Sequence, residues 1–451
     1  MSCFSWVLNS RPVLANQRGW VAFQLGLFFL PSSAALSGLF LVFALGFGSF
    51  KRTESFIKDP WNWPFLIAAI LMILSCIGAY SGWLAWIGLW NWLPFFWAFW
   101  AFQPYLLDGN SRMRSALLFL AGTVPVVLTG FGQLWWGWEG PWELFGGLVI
   151  WFIAPGGEPL GRLSGLFDYA NIAGAWLALV WPFSLAALMQ FGLSRYQRFV
   201  VFFLAISIVA AITLTDSRNA WGGLMLAIPF VVGPISWPWL LPCLGFFLLP
   251  VVLAALPGVP FLLQQWAREF VPESIWSRLN DMRYTQRALA STRLSQWGIA
   301  IQLCLERPWL GWGAAAFSVL YPIRTGQWHG HAHNLPLELA VSYGLLVSLL
   351  VVCCVLSLLI TALYRGMLKG GMSRNYATNI LLFDRAWWAA SFIVVVMHAT
   401  DMPFFDSRLN LAGWILLAGL RCSIRQEQAN HHCSLKPNGD VLVSGLSPKD
   451  P

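Results

Sequence analysis

Gln327-Trp-His-Gly-His-Ala-His-Asn334 runs straight into the apolar segment 335–360, and three of the chain's six histidines stand here at alternate positions. A run of that length and character is enough to cross a bilayer, which takes roughly 20 residues. An imidazole at the edge of such a span is costly in lipid unless other polar groups accompany it. The edge therefore reads as the rim of a site, and the other polar breaks in the sequence are the candidates to face it.

The rest of the chain repeats the same contrast. Of 451 residues, 58% are apolar and only 10% are charged, against about a quarter charged in a soluble domain. The expected fold is an all-α polytopic membrane protein with about twelve transmembrane helices. The spans are expected at 20–30, 34–50, 63–80, 83–105, 116–136, 169–190 and 199–215. They continue past the break Asp216-Ser-Arg-Asn219 to 235, then at 237–256, 335–364, 386–399 and 409–420. The 29 Trp suit anchoring at two interfaces. The eight Cys are scattered, which argues against a disulfide framework. Residues 1–19 are polar and lack a signal-peptide pattern, so the first span is expected to serve as the anchor.

Twelve spans allow an orientation test. With the N-terminus in the cytoplasm, the basic loops carrying Lys51, Arg52, Lys58, Arg112, Arg114, Arg195, Arg198, Arg365, Lys369 and Arg374 all fall inside, as the positive-inside rule expects. This accounts for the net charge of +8 without nucleic acid. The breaks at 216–219, 257–334 and 401–408 then share the outer side. The long segment 257–333 carries Arg268, Arg278, Arg283, Arg287, Arg293, Arg307 and Arg324. It is expected outside despite its charge, because long loops translocate largely regardless of it. Within it, 282–305 reads as an amphipathic surface helix ended by Glu306-Arg-Pro308. Four regions follow: 1–161, with five helices and an outer loop; a core, 162–364; the last two spans, 365–421; and a cytoplasmic tail, 422–451, expected to be disordered.

The polar residues are weighed one by one. Arg218, between two apolar runs, is either an interfacial arginine reaching the headgroups or a contact for a phosphate, which guanidinium grips with two donors; Asp216 is its candidate counter-ion. Arg293, with Gln296 and Trp297 in its neighbourhood, is either a headgroup contact or part of the same anion site. His333 directly precedes Asn334 and the span and is the best held of the three histidines. An imidazole of ordinary pKa is half available as a base near neutral pH. His329 and His331 read as loop residues. His-x-His-x-His without a carboxylate or Cys at ligand spacing is a weak metal signal, and no metal is assigned. Glu338 lies one turn into the span and needs a partner. Arg162 and Asn171 lie on the outer side before and at the start of the sixth span, and Arg324 is a further cation. His398, Asp401, Asp406 and Arg408 cluster at the end of the eleventh span and read as structural pairing.

Taken together, these residues resemble the bacterial O-antigen ligases and related O-antigen polymerases. His333-Asn334, nine residues, then Gly344 is similar to the signature of that family. Arg218 in Thr-Asp-Ser-Arg-Asn-Ala-Trp, Arg293 in Arg-Leu-Ser-Gln-Trp, the turn Glu306-Arg-Pro-Trp-Leu-Gly-Trp-Gly313 and the pair Gly165 and Asn171 resemble its other elements. Val347 stands where the ligase pattern prefers Gly, Thr or Tyr, and Asn219 where many relatives have Gly. The resemblance implies a C-type membrane glycosyltransferase in the inner (plasma) membrane. It implies transfer of a glycan from an undecaprenyl-diphosphate carrier to lipid A core, a growing polysaccharide or another hydroxyl on the periplasmic side, with no cofactor. It casts His333, Arg218 and Arg293 as catalytic, and Arg162, Asn171, Arg324, Asn334 and Glu338 as substrate-binding. The chain also resembles cyanobacterial members of the superfamily named as inorganic-carbon (bicarbonate) transporters, so a transporter is the competing expectation.

Overall fold

The computed structural model describes residues 11–50, 52, 55–280, 289–365 and 378–434. Arg283, Arg287, the opening of the expected 282–305 helix, Lys51, Lys369, Arg374 and the tail beyond 434 lie outside the described residues. The first third of the chain forms α1 (Gln17–Phe29), α2 (Ala34–Phe50), α3 (Trp63–Ile77), α4 (Trp83–Gly88), α5 (Leu93–Ala101), α6 (Gly109–Gly122) and α7 (Val124–Trp135). The loop after α7 holds an antiparallel hairpin, β1 (Trp142–Leu144) and β2 (Val149–Trp151), with Trp142 opposite Trp151. There follow α8 (Ala170–Met189), α9 (Arg195–Leu214), α10 (Arg218–Val232), α11 (Trp237–Ala255), α12 (Phe261–Phe270), α13 (Glu273–Leu279), α14 (Arg293–Glu306), α15 (Ala316–Thr325), α16 (Leu335–Tyr343), α17 (Leu345–Ala362), α18 (Thr378–Met397) and α19 (Ser407–Ser434).

Among the described residues, seven helices are long and apolar enough to cross a membrane: Pro60–Ile77, Gly109–Trp135, Ala170–Met189, Arg195–Leu214, Pro234–Ala255, Leu345–Arg365 and Asn379–Met397. The other five expected spans are helical but shorter, interrupted or more polar. The expected 83–105 helix is cut into α4, a 3-10 turn (Leu89–Asn91) and α5, which starts over Pro94. The expected 335–364 helix breaks at Gly344, between α16 and α17. The tail expected to be disordered from 422 is helical through Ser434.

Local chemistry sets the helix starts. Asn16, Asp108, Ser194, Thr292 and Asn334 each accept a backbone N–H of the first turn, satisfying donors that the helix itself leaves open. The centre of the bundle is α8, which packs against α6, α9, α10 and α18 and is buried along most of its length. Small residues allow this close approach. A Cβ on Gly174 would stand 3.0 Å from both Ser217 and Ala220, and one on Gly223 would stand 3.1 Å from Ala178. The first turn of α10, which carries Arg218, is thereby pressed onto the first turns of α8. By contrast α9 and α11 leave Phe199, Phe202, Phe203, Phe246 and Phe247 exposed, as helices facing lipid do.

Buried ion pairs tie the far end of the bundle. Arg112 holds Asp384 with two bonds, of 2.7 and 2.9 Å, and Arg421 holds Asp59 with two of 3.0 Å. At the near end, the breaks at 216–219, 257–334 and 401–408 come together.

Candidate functional site

A cavity of about 1380 Å³ lies where those three breaks meet, and Arg162, Asn171, Arg218, Arg293 and His333 all line it. These residues come from four separate stretches of chain, Arg162 and Asn171 sharing one. Four helices begin around them: Asn171 is in the first turn of α8, Arg218 opens α10, Arg293 opens α14, and His333 directly precedes the Asn334 cap of α16. Each helix start presents open N–H groups and the positive end of the backbone dipole. Together with the guanidinium groups they make the cavity receptive to an anion.

His333 has φ +51°, a conformation uncommon for a side-chain-bearing residue. Its surroundings hold it there. Its N–H donates to Nδ1 of His331 at 3.3 Å, the N–H of Ala332 donates to the Glu338 carboxylate at 3.1 Å, and the Asn334 amide donates to the Ala399 carbonyl at 2.8 Å. The His333 ring meets Asp401 through Nδ1 at 3.0 Å, while the other Asp401 oxygen lies 3.6 Å from Arg293. Burial pushes the Asp401 carboxyl upward. The hydrogen bond with His333 and the Arg293 and His333 charges, helped by the Met402 N–H, outweigh this and hold it below the usual carboxylate range. An ionised Asp401 fixes the proton on Nδ1 and leaves Nε2 as the basic nitrogen of His333. His331 packs edge-on against His333, with centroids 4.2 Å apart, and stacks on Phe405. Burial and then the His333 charge press its pKa down to about 4.

Also lining the cavity, Arg162 donates to the Thr215 carbonyl at 2.8 Å, to the Asn171 side chain at 2.6 Å and to the Asp216 carbonyl at 3.3 Å. Asp216 also sits at positive φ, +50°. Its carboxylate lies 3.3 Å from Arg278, which donates to the Asp216 carbonyl as well. Arg218 donates to the Leu279 carbonyl at 3.4 Å. Two loops distant in sequence thus grip the turn that presents Arg218.

Three expected substrate contacts are placed elsewhere. Arg324 is paired with Glu306 at 2.7 Å, outside the cavity lining, and that hydrogen bond draws the Glu306 carboxyl down. Asn334 caps α16, accepting the Leu337 N–H at 2.9 Å. Glu338 is buried and anchors Ala332. The last two support His333 without lining the cavity.

Asp401, Arg278, His331 and Gln296 line the cavity and were not picked out as site residues by sequence. Arg278 is one of seven arginines in its loop, and nothing local distinguishes it. Of the cluster read as structural pairing, Arg408 pairs with Asp406 at 2.5 Å, while Asp401 turns to His333 and Arg293.

The spacing from His333 to Gly344 also has a structural cause. Gly344 has φ +94°, and a Cβ there would stand 2.1 Å from the Trp309 carbonyl oxygen. The turn 306–313 docks on this junction, with Trp312 N–H to Val341, Gly313 N–H to Ser342 and Leu345 N–H to Pro308. The α16–α17 break thereby fixes the height of His333 over the membrane helices.

The helices and the site define a membrane protein with an anion-receptive cavity at one end of its bundle. Residues 199–352 match the family described as O-antigen ligase, a match that supports membership of the O-antigen ligase superfamily. The matched segment carries Arg218, Arg278, Arg293 and His333, while Arg162, Asn171 and Asp401 are outside it. No curated protein matches the chain.

Proposed function

We propose that this protein is a membrane glycosyltransferase. It moves a glycan from an undecaprenyl-diphosphate carrier to an acceptor hydroxyl at the periplasmic face of the inner membrane. The observation that carries the reading is the convergence of two helix-opening arginines, Arg218 and Arg293, and a carboxylate-oriented imidazole, His333, on one cavity. The twelve-span orientation with the N-terminus inside, and the outer placement of 257–333, belong to the same reading.

In the proposed reaction, Nε2 of His333 takes the proton of the acceptor hydroxyl. The acceptor oxygen bonds to the anomeric carbon as the bond from that carbon to the diphosphate oxygen breaks. The electron pair goes to the diphosphate, whose charge Arg218 and Arg293 stabilise, and the configuration at the sugar carbon inverts. Asp401 keeps the imidazole in the required tautomer and offsets its charge once protonated. The cations for the leaving group come from the chain itself, so the reading is metal-independent. Fixed donors aimed at developing charge often make the largest single contribution to catalysis. Ligase and polymerase activity are separated by surface glycans of a deletion strain: loss of attached chains marks a ligase, single-repeat chains a polymerase.

A cavity at one end of the bundle supports an enzyme over a carrier, since carriers bind near the bilayer midplane. The test is transfer from a lipid-linked glycan by Arg218→Ala, Arg293→Ala and His333→Ala. Each should fall by about 100-fold or more. Near-normal activity in all three contradicts the assignment.

A further inference from the structure

Gln296 lies one helical turn after Arg293 on α14 and lines the same cavity. Its side chain is 1% exposed. The amide nitrogen faces the Ser291 carbonyl at 3.5 Å, which leaves the oxygen as the open end. That oxygen is buried and has no hydrogen-bond partner among the described residues. A buried acceptor left unpaired is destabilising, and such groups are uncommon in native structures. An oxygen in this position needs a donor, and among the described residues no protein group supplies one.

We infer that Gln296 is a specificity-determining residue that accepts a hydrogen bond from the first sugar of the donor, a hydroxyl or an acetamido N–H. The inference rests on the diphosphate site proposed above. Arg293 and Gln296 stand at i and i+3 and so share a helix face. With the diphosphate on Arg293, the next group along the donor is the sugar attached to it. A phosphate oxygen is a poor match for Gln296, because two acceptors would face each other. A sugar hydroxyl or amide N–H donates and satisfies it. Sites built to pair a substrate hydroxyl or N–H reject analogues that lack it, because the buried partner is then left alone.

The experiment uses the full chain in lipid nanodiscs and two probes: undecaprenyl diphosphate, and the same lipid carrying one N-acetylglucosamine. Gln296→Leu should weaken binding of the sugar-bearing lipid about tenfold, near the worth of one buried hydrogen bond, and leave the sugarless lipid unchanged. Arg293→Ala should weaken both. In nanodiscs without either probe, Gln296→Leu should melt no lower than wild type, since it removes an unsatisfied acceptor. If Gln296→Leu weakens both lipids equally, or neither, the sugar contact is wrong while the diphosphate site stands. If wild type binds neither lipid, the diphosphate site itself is wrong and this contact falls with it.

Discussion

His333 shows how one residue collects constraints from distant parts of the chain. Its backbone is held by His331, its neighbour Ala332 by Glu338, and its ring by Asp401, 68 positions away. Asp401→Asn keeps the shape but removes the charge that fixes the ring tautomer. We expect kcat to fall roughly ten- to a hundredfold, with KM for the lipid-linked donor little changed; steady-state kinetics on both substrates checks this. His331 gives a pH signature. Folded, its pKa is pushed to about 4 from the ordinary 6.5, so the unfolded chain takes up the proton first. The stability of the neutral form is complete above about pH 6.5 and is lost as pH falls toward 4. Thermal unfolding of His331→Phe between pH 7 and 4.5 should drop less steeply than that of wild type. Arg218 stands out in the sequence because charge interrupts an apolar run there, His333 because it adjoins a span, and Arg293 through its neighbours Gln296 and Trp297. Asp401 does not, because it stands in a local cluster with His398, Asp406 and Arg408 that reads as structural pairing, while its partners in the fold lie far away in sequence.

At the scale of elements, the break between α16 and α17 places the site. A continuous helix through 335–364 would satisfy the apolar pattern equally well, and nothing polar marks Gly344. The break exists because the turn 306–313 occupies the space a side chain would need. Gly344→Ala combines a positive φ with a collision at the Trp309 carbonyl, and should cost more than about 2 kcal/mol. A lowered unfolding midpoint and reduced yield in membranes check it, and a midpoint equal to wild type contradicts it. The hairpin β1–β2 was also invisible in the sequence, where 137–168 looked only like a loop. Its three-residue strands are too short for an alternating pattern to stand out.

Across the whole molecule, composition announced a helical membrane protein. The positions of the helices followed from apolar runs and their caps. The count did not, because hydropathy cannot tell a span from a shorter or interrupted apolar helix such as α1 or the α4–α5 pair. What composition also left open is the choice between moving a glycan and moving an anion, since arginines can bind bicarbonate as well as diphosphate. The direct test is one preparation of proteoliposomes supplied with both an undecaprenyl-diphosphate-linked glycan plus acceptor and radiolabelled bicarbonate. We predict glycan transfer that is lost in His333→Ala, with no bicarbonate accumulated above protein-free vesicles. Bicarbonate uptake without glycan transfer would contradict the account.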